Sequence, residues 1–460
     1  MSITESGPAP SSLSPQILAE RVVRPAPSDQ TVVRCGLIDI SLADLPTSVV
    51  FFYVHELDFD ALSDGLSIAL STLPVFAGRL RTDAESLQLV CGASGVPFVH
   101  AQMPETMPEA LARMTLSESG FVDHVKASAA RTADLPLFTA RLSRLADGGS
   151  ALGISWHHAV GDLQSAVLLM RAWAAACANL PLPQPILHQD RDGELLPMLP
   201  PTDSGRTSFR LPESAEEAAL IQQTILSAPR ANRTVQIYFS DAELGRMQAD
   251  LTSQAGRRLS INDAVCGHLT DTLWNLAEND QPRRLVVPVN VRRHLGLPAE
   301  LVGNVLGEVL LTTPPGASAA TIATTLRESI EDFGRSHLSL RSNHDYLRKI
   351  GRSGLEQCVP IGFDPTRRTV VLSNWSRFGL YQISFGGQCP IAFSPAATAQ
   401  IGWVGWVVEG FGGQGLLATL ALPAKLALKL RSPEVHTTLH RYRDAAEELP
   451  ALARQLRKLA

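Results

Sequence analysis

The sequence predicts a mixed α/β protein in two halves, and three observations predict it. A strand–turn–helix unit occupies residues 150–173, a strand with polar residues at its end occupies 284–292, and a proline-rich stretch separates them. In the first unit Leu152, Ile154, Trp156 and His158 alternate with Ala151, Gly153, Ser155 and His157, which is the period of a strand. After Asp162 the period turns helical: Leu163, Ala166, Val167, Met170 and Trp173 form one stripe, with Asp162 placed to cap it. In the second strand Leu285, Val287, Val289 and Val291 share one face, so Asn290 and Arg292 fall side by side on the other. A buried polar pair at a strand end needs partners. Between the two, Pro181, Pro183, Pro185, Pro197, Pro200, Pro201 and Pro212 interrupt any element, which makes the stretch to about residue 230 the best domain boundary.

The remaining elements follow in order. The Ser- and Pro-rich first 16 residues read as a flexible arm. Strands are expected at 31–40 and at 48–56, where Val49 to Val54 is strongly β-prone. A helix capped by Asp58 or Asp60 carries Phe59, Leu62, Leu66, Ala69 and Leu73 inward and stops at Pro74. Strands follow at 86–90 and 96–100, mixed helix and loop at 105–130, then strands at 136–145 and 151–158 joined by a turn at Asp147-Gly148-Gly149. The second half opens with a strand at 234–239 and a helix whose Ser240 and Glu243 have capping-box spacing. A helix capped by Ser260 and an amphipathic helix at 319–335 come next. Strands are expected at 369–374 and 380–385, and a hairpin at 402–409 and 416–422. Residues 432–460 read as a helical, polar tail.

Composition bounds the function. A 460-residue chain with 45% apolar and 18% charged residues fits a soluble globular enzyme. A net charge of −5 gives no footprint for nucleic acid or an anionic membrane. The six cysteines form no CxxC pair, and the N-terminus has neither a basic start nor an apolar run, so free thiols in the cytoplasm are expected. No 18-residue apolar window suggests a transmembrane helix.

The chemistry concentrates in His158-x-x-x-Asp162. An imidazole titrating near neutrality at a strand end can take a proton and return it, while the aspartate holds the turn or orients the ring. The bland alternative is a pair of structural histidines. A metal site is disfavoured, because His157 and His158 point to opposite faces. Residues 410–415 spell GxGxxG but lead into a strand, and Asp332-Phe333-Gly334 lies in an amphipathic helix without the other kinase motifs. Trp156, Trp375, Trp403 and Trp406 are candidates for a pocket wall or, equally, for core aromatics.

Taken together, the ordered motifs resemble the BAHD family of coenzyme A-dependent acyltransferases. His158-Ala159-Val160-Gly161-Asp162 matches its HxxxD motif within HHxxxD. Leu73 to Leu80, the Gly148-Gly149 pair, Leu259 to Ala264, Asn290-Val291-Arg292, Gly303-Asn304-Val305 and Ser373 to Tyr381 follow its other conserved stretches, over residues 16–425. Its second signature, DFGWG, is degraded to Ser384-Phe385-Gly386-Gly387-Gln388, and Leu163 replaces the glycine that usually follows the aspartate.

The resemblance implies two chloramphenicol-acetyltransferase-like domains, with mixed sheets flanked by helices and an active-site tunnel between them. It sets an N-terminal domain at 17–185, the crossover at 186–230, a C-terminal domain at 231–431 with part of 355–395 packing on the first, and the tail. It makes His158 the general base, supported by an Asp162–Arg292 pair and by Asn290, with no covalent acyl-enzyme. His157, Gly161, Ser260, Ser373, Trp375 and Arg377 become candidates for the substrate or coenzyme A tunnel; Ser384, Phe385, Gly386 and Gly387 become a structural remnant. Acyl-coenzyme A is the expected co-substrate and a small specialised metabolite the acceptor, with no permanently bound cofactor, no metal and a monomeric state. A condensation-type enzyme drawing on a carrier protein is the rival with the same histidine, though it lacks the NxR strand. An inactive scaffold on this fold is the third reading.

Overall fold

The computed structural model describes residues 15–454, apart from 28–29, 83–85, 93, 116–118, 200, 202–206, 278–280, 337 and 397–400. Two six-stranded mixed sheets organise it. The first runs Gln16–Val23, Val96–Gln102, Phe138–Arg144, Ser150–His157, Pro46–Tyr53 and Ala392–Pro395. The second runs Asn232–Phe239, Leu416–Pro423, Val404–Glu409, Val370–Asn374, Arg283–Asn290 and Leu306–Thr313. Helices flank both, so the α/β class and the two-domain architecture are as expected. Most of the expected arm, residues 1–14, lies outside the described residues, and Gln16 already begins the edge strand.

Ser150–His157 is central to the first sheet and buried along its whole length. Gly153 is required there: a Cβ would stand 1.9 Å from the Phe121 carbonyl oxygen. The strand ends where Asp162, extended at φ −77° and ψ −176°, caps Leu163–Cys177 by accepting from the Ser165 amide. That helix packs on Phe59–Thr72, capped by Asp58, with the Trp173 indole N–H on the Leu62 carbonyl at 2.8 Å. The halves exchange chain. Ala392–Pro395 pairs antiparallel with Pro46–Tyr53, and Phe385, Phe393 and Phe411 join the core of the first half.

Five local expectations are corrected. Residues 31–40 split into a strand, Thr31–Arg34, and a helix, Leu37–Ser41, because the Asp39 carboxylate turns back to accept the Gly36 amide at 2.8 Å. The crossover carries the helix Ala215–Ala231, since Ser214 caps it, Glu216 and Glu217 fill its first turn, and prolines are absent from 213 to 228. Residues 380–385 are no strand: Gly379 is left-handed at φ 66° and the chain passes into a 3₁₀ turn, Leu380–Gln382. Ser240 caps its helix, but Glu243 does not close the box, because its carboxylate takes His440 Nδ1 at 2.8 Å and Arg443 Nη2 at 2.7 Å. Those same bonds tie down the tail. After the helix Pro433–Leu439 the chain is non-helical as far as Pro450, with Leu439 in the second core and Ala453 in the first. No helix among the described residues is long and apolar enough to cross a membrane.

Candidate active site

His158 sits at the end of the central strand, in the turn before the helix, and faces a cavity of about 220 Å³ between the halves. Asn304 of the second half, itself held by Asp39 of the first, determines how its ring is held. The imidazole Nδ1 lies 3.0 Å from Asn304 Oδ1, while Asn304 Nδ2 donates to Asp39 Oδ1 at 2.7 Å and to the His158 carbonyl at 2.8 Å. With both amide protons spent on acceptors, Oδ1 must face the ring, and a carbonyl oxygen only accepts. Nδ1 therefore carries the proton, and Nε2 is left with its lone pair. Burial pushes the imidazole below its ordinary 6.5, partly offset by hydrogen bonding, the Asp162 carboxylate and Asn304. The ring is neutral at pH 7.

The turn itself is clamped from two sides. Arg191, from the crossover, donates to the Ala159 and Val160 carbonyls at 2.7 Å each and pairs with Asp39 at 3.0 Å. On the other side Arg292 donates to both Asp162 oxygens, at 2.6 and 3.1 Å, and to the Leu301 and Gly303 carbonyls. Asp162 also accepts from Ser165 and from the Val305 amide. Asn290 completes the cluster, its Oδ1 accepting from the Arg292 amide at 3.1 Å. Both ion pairs are buried, so they hold geometry well but would be costly to break.

The other sequence candidates divide. Ser373 and Trp375 line the cavity, as do Trp156 and Trp406. His157, expected in the tunnel, points the other way: it is fully buried, bonded to the Ala127 carbonyl, and pushed down to about 4 by that burial. Gly161 does not line the cavity either; its carbonyl accepts the Trp156 indole N–H at 3.1 Å, and a Cβ would strike Ser165. Ser260 caps the helix Ile261–Leu276, and Arg377 is exposed, both outside the cavity wall. Trp403 packs on Trp274 in the second core. Phe385 is buried against Tyr53 and Trp173, while Gly386 and Gly387, at φ 59° and 76°, turn the chain so that Phe385 bridges Gln388; Ser384 leads into that turn.

Sequence reasoning missed Asp39, Arg191 and Glu308. The first two act only across elements far apart in the chain. Glu308 lies on the face of Leu306–Thr313 opposite the core residues Val309 and Leu311, where alternation alone suggests solvent. Leu310 and Thr312 on that face are exposed, but Leu306 and Glu308 form cavity wall, and burial pushes the Glu308 carboxyl up to about 7 against the pull of a Ser208 hydrogen bond.

Comparison with known proteins places this geometry. A model of the Transferase family matches residues 16–430. Rosmarinate synthase of Plectranthus scutellarioides is 25% identical over 318 residues, covering 67% of this chain and 71% of the relative. Vinorine synthase of Rauvolfia serpentina is 23% identical over 414 residues, covering 83% and 88%. The crystal structure of vinorine synthase superposes with a TM-score of 0.69 at 18% identity, over 92% of this chain and 98% of that one. That of F. sporotrichioides TRI101, complexed with coenzyme A and T-2, gives 0.72 at 14% identity, over 88% and 98%.

Proposed function

Because the chain belongs to the BAHD acyltransferase family, we propose that it moves an acyl group from an acyl-coenzyme A thioester to a hydroxyl or amine of a small specialised metabolite, with His158 as the general base. The observation that carries this reading is the Asn304 bond, which leaves His158 Nε2 as a bare lone pair on the cavity. Nε2 takes the proton of the acceptor as its oxygen or nitrogen attacks the thioester carbonyl. When the tetrahedral intermediate collapses, the C–S bond breaks and the imidazolium returns the proton to the departing sulfur. Such a base contributes ~10²–10⁴-fold, with positioning and charge stabilisation adding the rest. Direct transfer fits the cysteines: none lines the cavity, and burial raises the thiols of Cys35, Cys91, Cys177, Cys266 and Cys358. Coenzyme A in the TRI101 structure supports the donor. In this reading the protein is a cytoplasmic monomer, and its six free cysteines support the reducing compartment. Asp162, Arg292 and Asn290 hold the turn, and Ser373 and Trp375 line the substrate passage.

The test is free-thiol release from a panel of short acyl-coenzyme A thioesters, with and without a pooled extract of small alcohols and amines. Extract-dependent release ranks the donors; no release from any donor counts against the coenzyme A reading.

Asn304 is a positioning residue and has its own signature. Asn304→Ala is expected to lower kcat by ~10–100-fold, the worth of one hydrogen bond that fixes tautomer and orientation. The acid limb of kcat/KM for the parent should lie below the ordinary imidazole value of 6.5, because burial disfavours the charged ring. Asn304 favours that charged form, so its removal should move the limb to still lower pH. An unmoved limb would argue that Asn304 only packs.

A further inference from the structure

We infer that Asp39 is a positioning residue for the transfer: through Asn304 it decides which nitrogen of His158 carries the proton. The word transfer rests on the function proposed above; the chain of hydrogen bonds stands without it. Asp39 is buried and lies behind the cavity wall, so it touches neither the imidazole nor a substrate. Its place is fixed locally. It is the third residue of the helix Leu37–Ser41, and Oδ2 turns back onto the Gly36 amide at 2.8 Å. The same oxygen pairs with Arg191 Nη1 at 3.0 Å. Oδ1 takes Asn304 Nδ2 at 2.7 Å, from 265 positions away in sequence. All three partners are donors, so the position demands an acceptor at both oxygens. A carboxylate meets that demand and an amide cannot.

The demand passes along the chain. An asparagine at 39 must aim its NH₂ at one set of partners. Aimed at Gly36 and Arg191, it sets hydrogens against an amide N–H and a guanidinium. Aimed at Asn304, it meets a second NH₂, and that conflict has a remedy, because the Asn304 amide can turn over. Turned over, Asn304 presents Nδ2 to His158 Nδ1, which must then accept. The ring proton passes to Nε2, and the lone pair needed for the acceptor is lost. The turn also sacrifices the Asn304 bond to the His158 carbonyl, so both ring forms become populated. With aspartate at 39 no conflict arises, and Asp39, Asn304 and the ring agree on one form. The Asp39 charge also favours the imidazolium that forms during transfer.

The test reads the ring form by nitrogen-15 NMR of histidine-labelled protein, the His158 signals being those absent from His158→Ala. The parent should show Nδ1–H. Asp39→Asn should shift the ratio of the two forms toward Nε2–H by ~10–100-fold, the worth of one or two mispaired buried hydrogen bonds. Steady-state rates should then show kcat falling while KM changes little. Asp39→Ala gives a second route. A small cavity lined by Asp39 and Arg191 borders the position, so added formate can stand in for the missing carboxylate. Formate should return the ring to Nδ1–H, and its removal by dialysis should release it again. Chloride at equal concentration screens Arg191 without bridging it to Asn304, and should not. Should Asp39→Asn prove insoluble, Asp39→Ala purified in formate decides in its place. An Nε2–H ring in the parent, an unchanged Nδ1–H ring in Asp39→Asn, or equal recovery of Asp39→Ala by chloride overturns the inference. Thiol release is scored separately. A ring form that follows Asp39, in a protein that releases no thiol, keeps the relay and removes the transferase reading; thiol release with a ring indifferent to Asp39 does the reverse.

Discussion

Replacing His158 with alanine is expected to leave a folded protein whose turnover is ~10²–10⁴-fold lower, the range for loss of a positioned general base. The fold should survive because the bonds that fix this position belong to the backbone: the His158 amide donates to the Leu45 carbonyl at 3.0 Å, and its carbonyl accepts from Asn304. Alanine keeps both. The lost side-chain bond frees Asn304 Oδ1 toward the cavity, where water replaces the ring, so the expected stability cost is at most ~1–1.5 kcal/mol. Turnover has no such replacement, since water is a far weaker base at pH 7 than a neutral imidazole held by Asn304. Steady-state rates with the best donor, alongside thermal melts of parent and variant, give both quantities. A variant that keeps more than a tenth of the parental kcat would remove His158 from the chemistry and leave it a structural residue.

Asp162→Asn is expected to fail in the opposite way, through the fold. Every group around this carboxylate is a donor. Oδ2 accepts from Arg292 and the Val305 amide, and Oδ1 from Arg292 and both donors of Ser165. An asparagine must turn its NH₂ toward one of these sets, losing bonds and meeting like hydrogens. It also leaves the Arg292 charge uncompensated in a site where the two side chains are 3% and 2% exposed. Breaking a buried pair from one side costs ~3–5 kcal/mol, a large share of the ~5–15 kcal/mol that a folded domain has. Soluble yield and the urea midpoint should both drop. Removing both charges together, with Asp162→Leu and Arg292→Met, should restore part of the loss, since the uncompensated ion is then gone. A soluble, stable and fully active Asp162→Asn would show that the pair does not hold the turn.

What the sequence revealed, and what it hid, follows from range. Ser150–His157 and the helix after Asp162 are legible because alternation and helical period are local, and the change between them falls at His158. Arg292 is 130 residues from Asp162, yet its need for a partner could be read from its place among valines. Asn304 stood out only as part of a turn. Asp39 and Arg191 are ordinary polar residues until the crossover brings them beneath the His158 turn. Ser260 and Gly161 carry motif positions but serve the local backbone, as a cap and as a close approach to Ser165, away from the cavity wall. Glu308 was invisible for a different reason: period two tells which face a residue takes, not whether that face meets solvent or the other half of the protein.

The strand Ala392–Pro395 also bears on how the chain is made. Its partner Pro46–Tyr53 leaves the ribosome almost 340 residues earlier, which at 5–20 residues per second is an interval on the order of 17–70 s. Throughout it, the β-prone run Val49 to Phe52 presents an unfilled sheet edge, and afterwards that edge is closed by a strand from the other half. Synthesis stopped at the crossover would therefore yield an N-terminal fragment with an open hydrophobic edge, prone to pair with a neighbour. The two halves, separable on paper, become a single cooperative unit only once residues 392–395 have emerged.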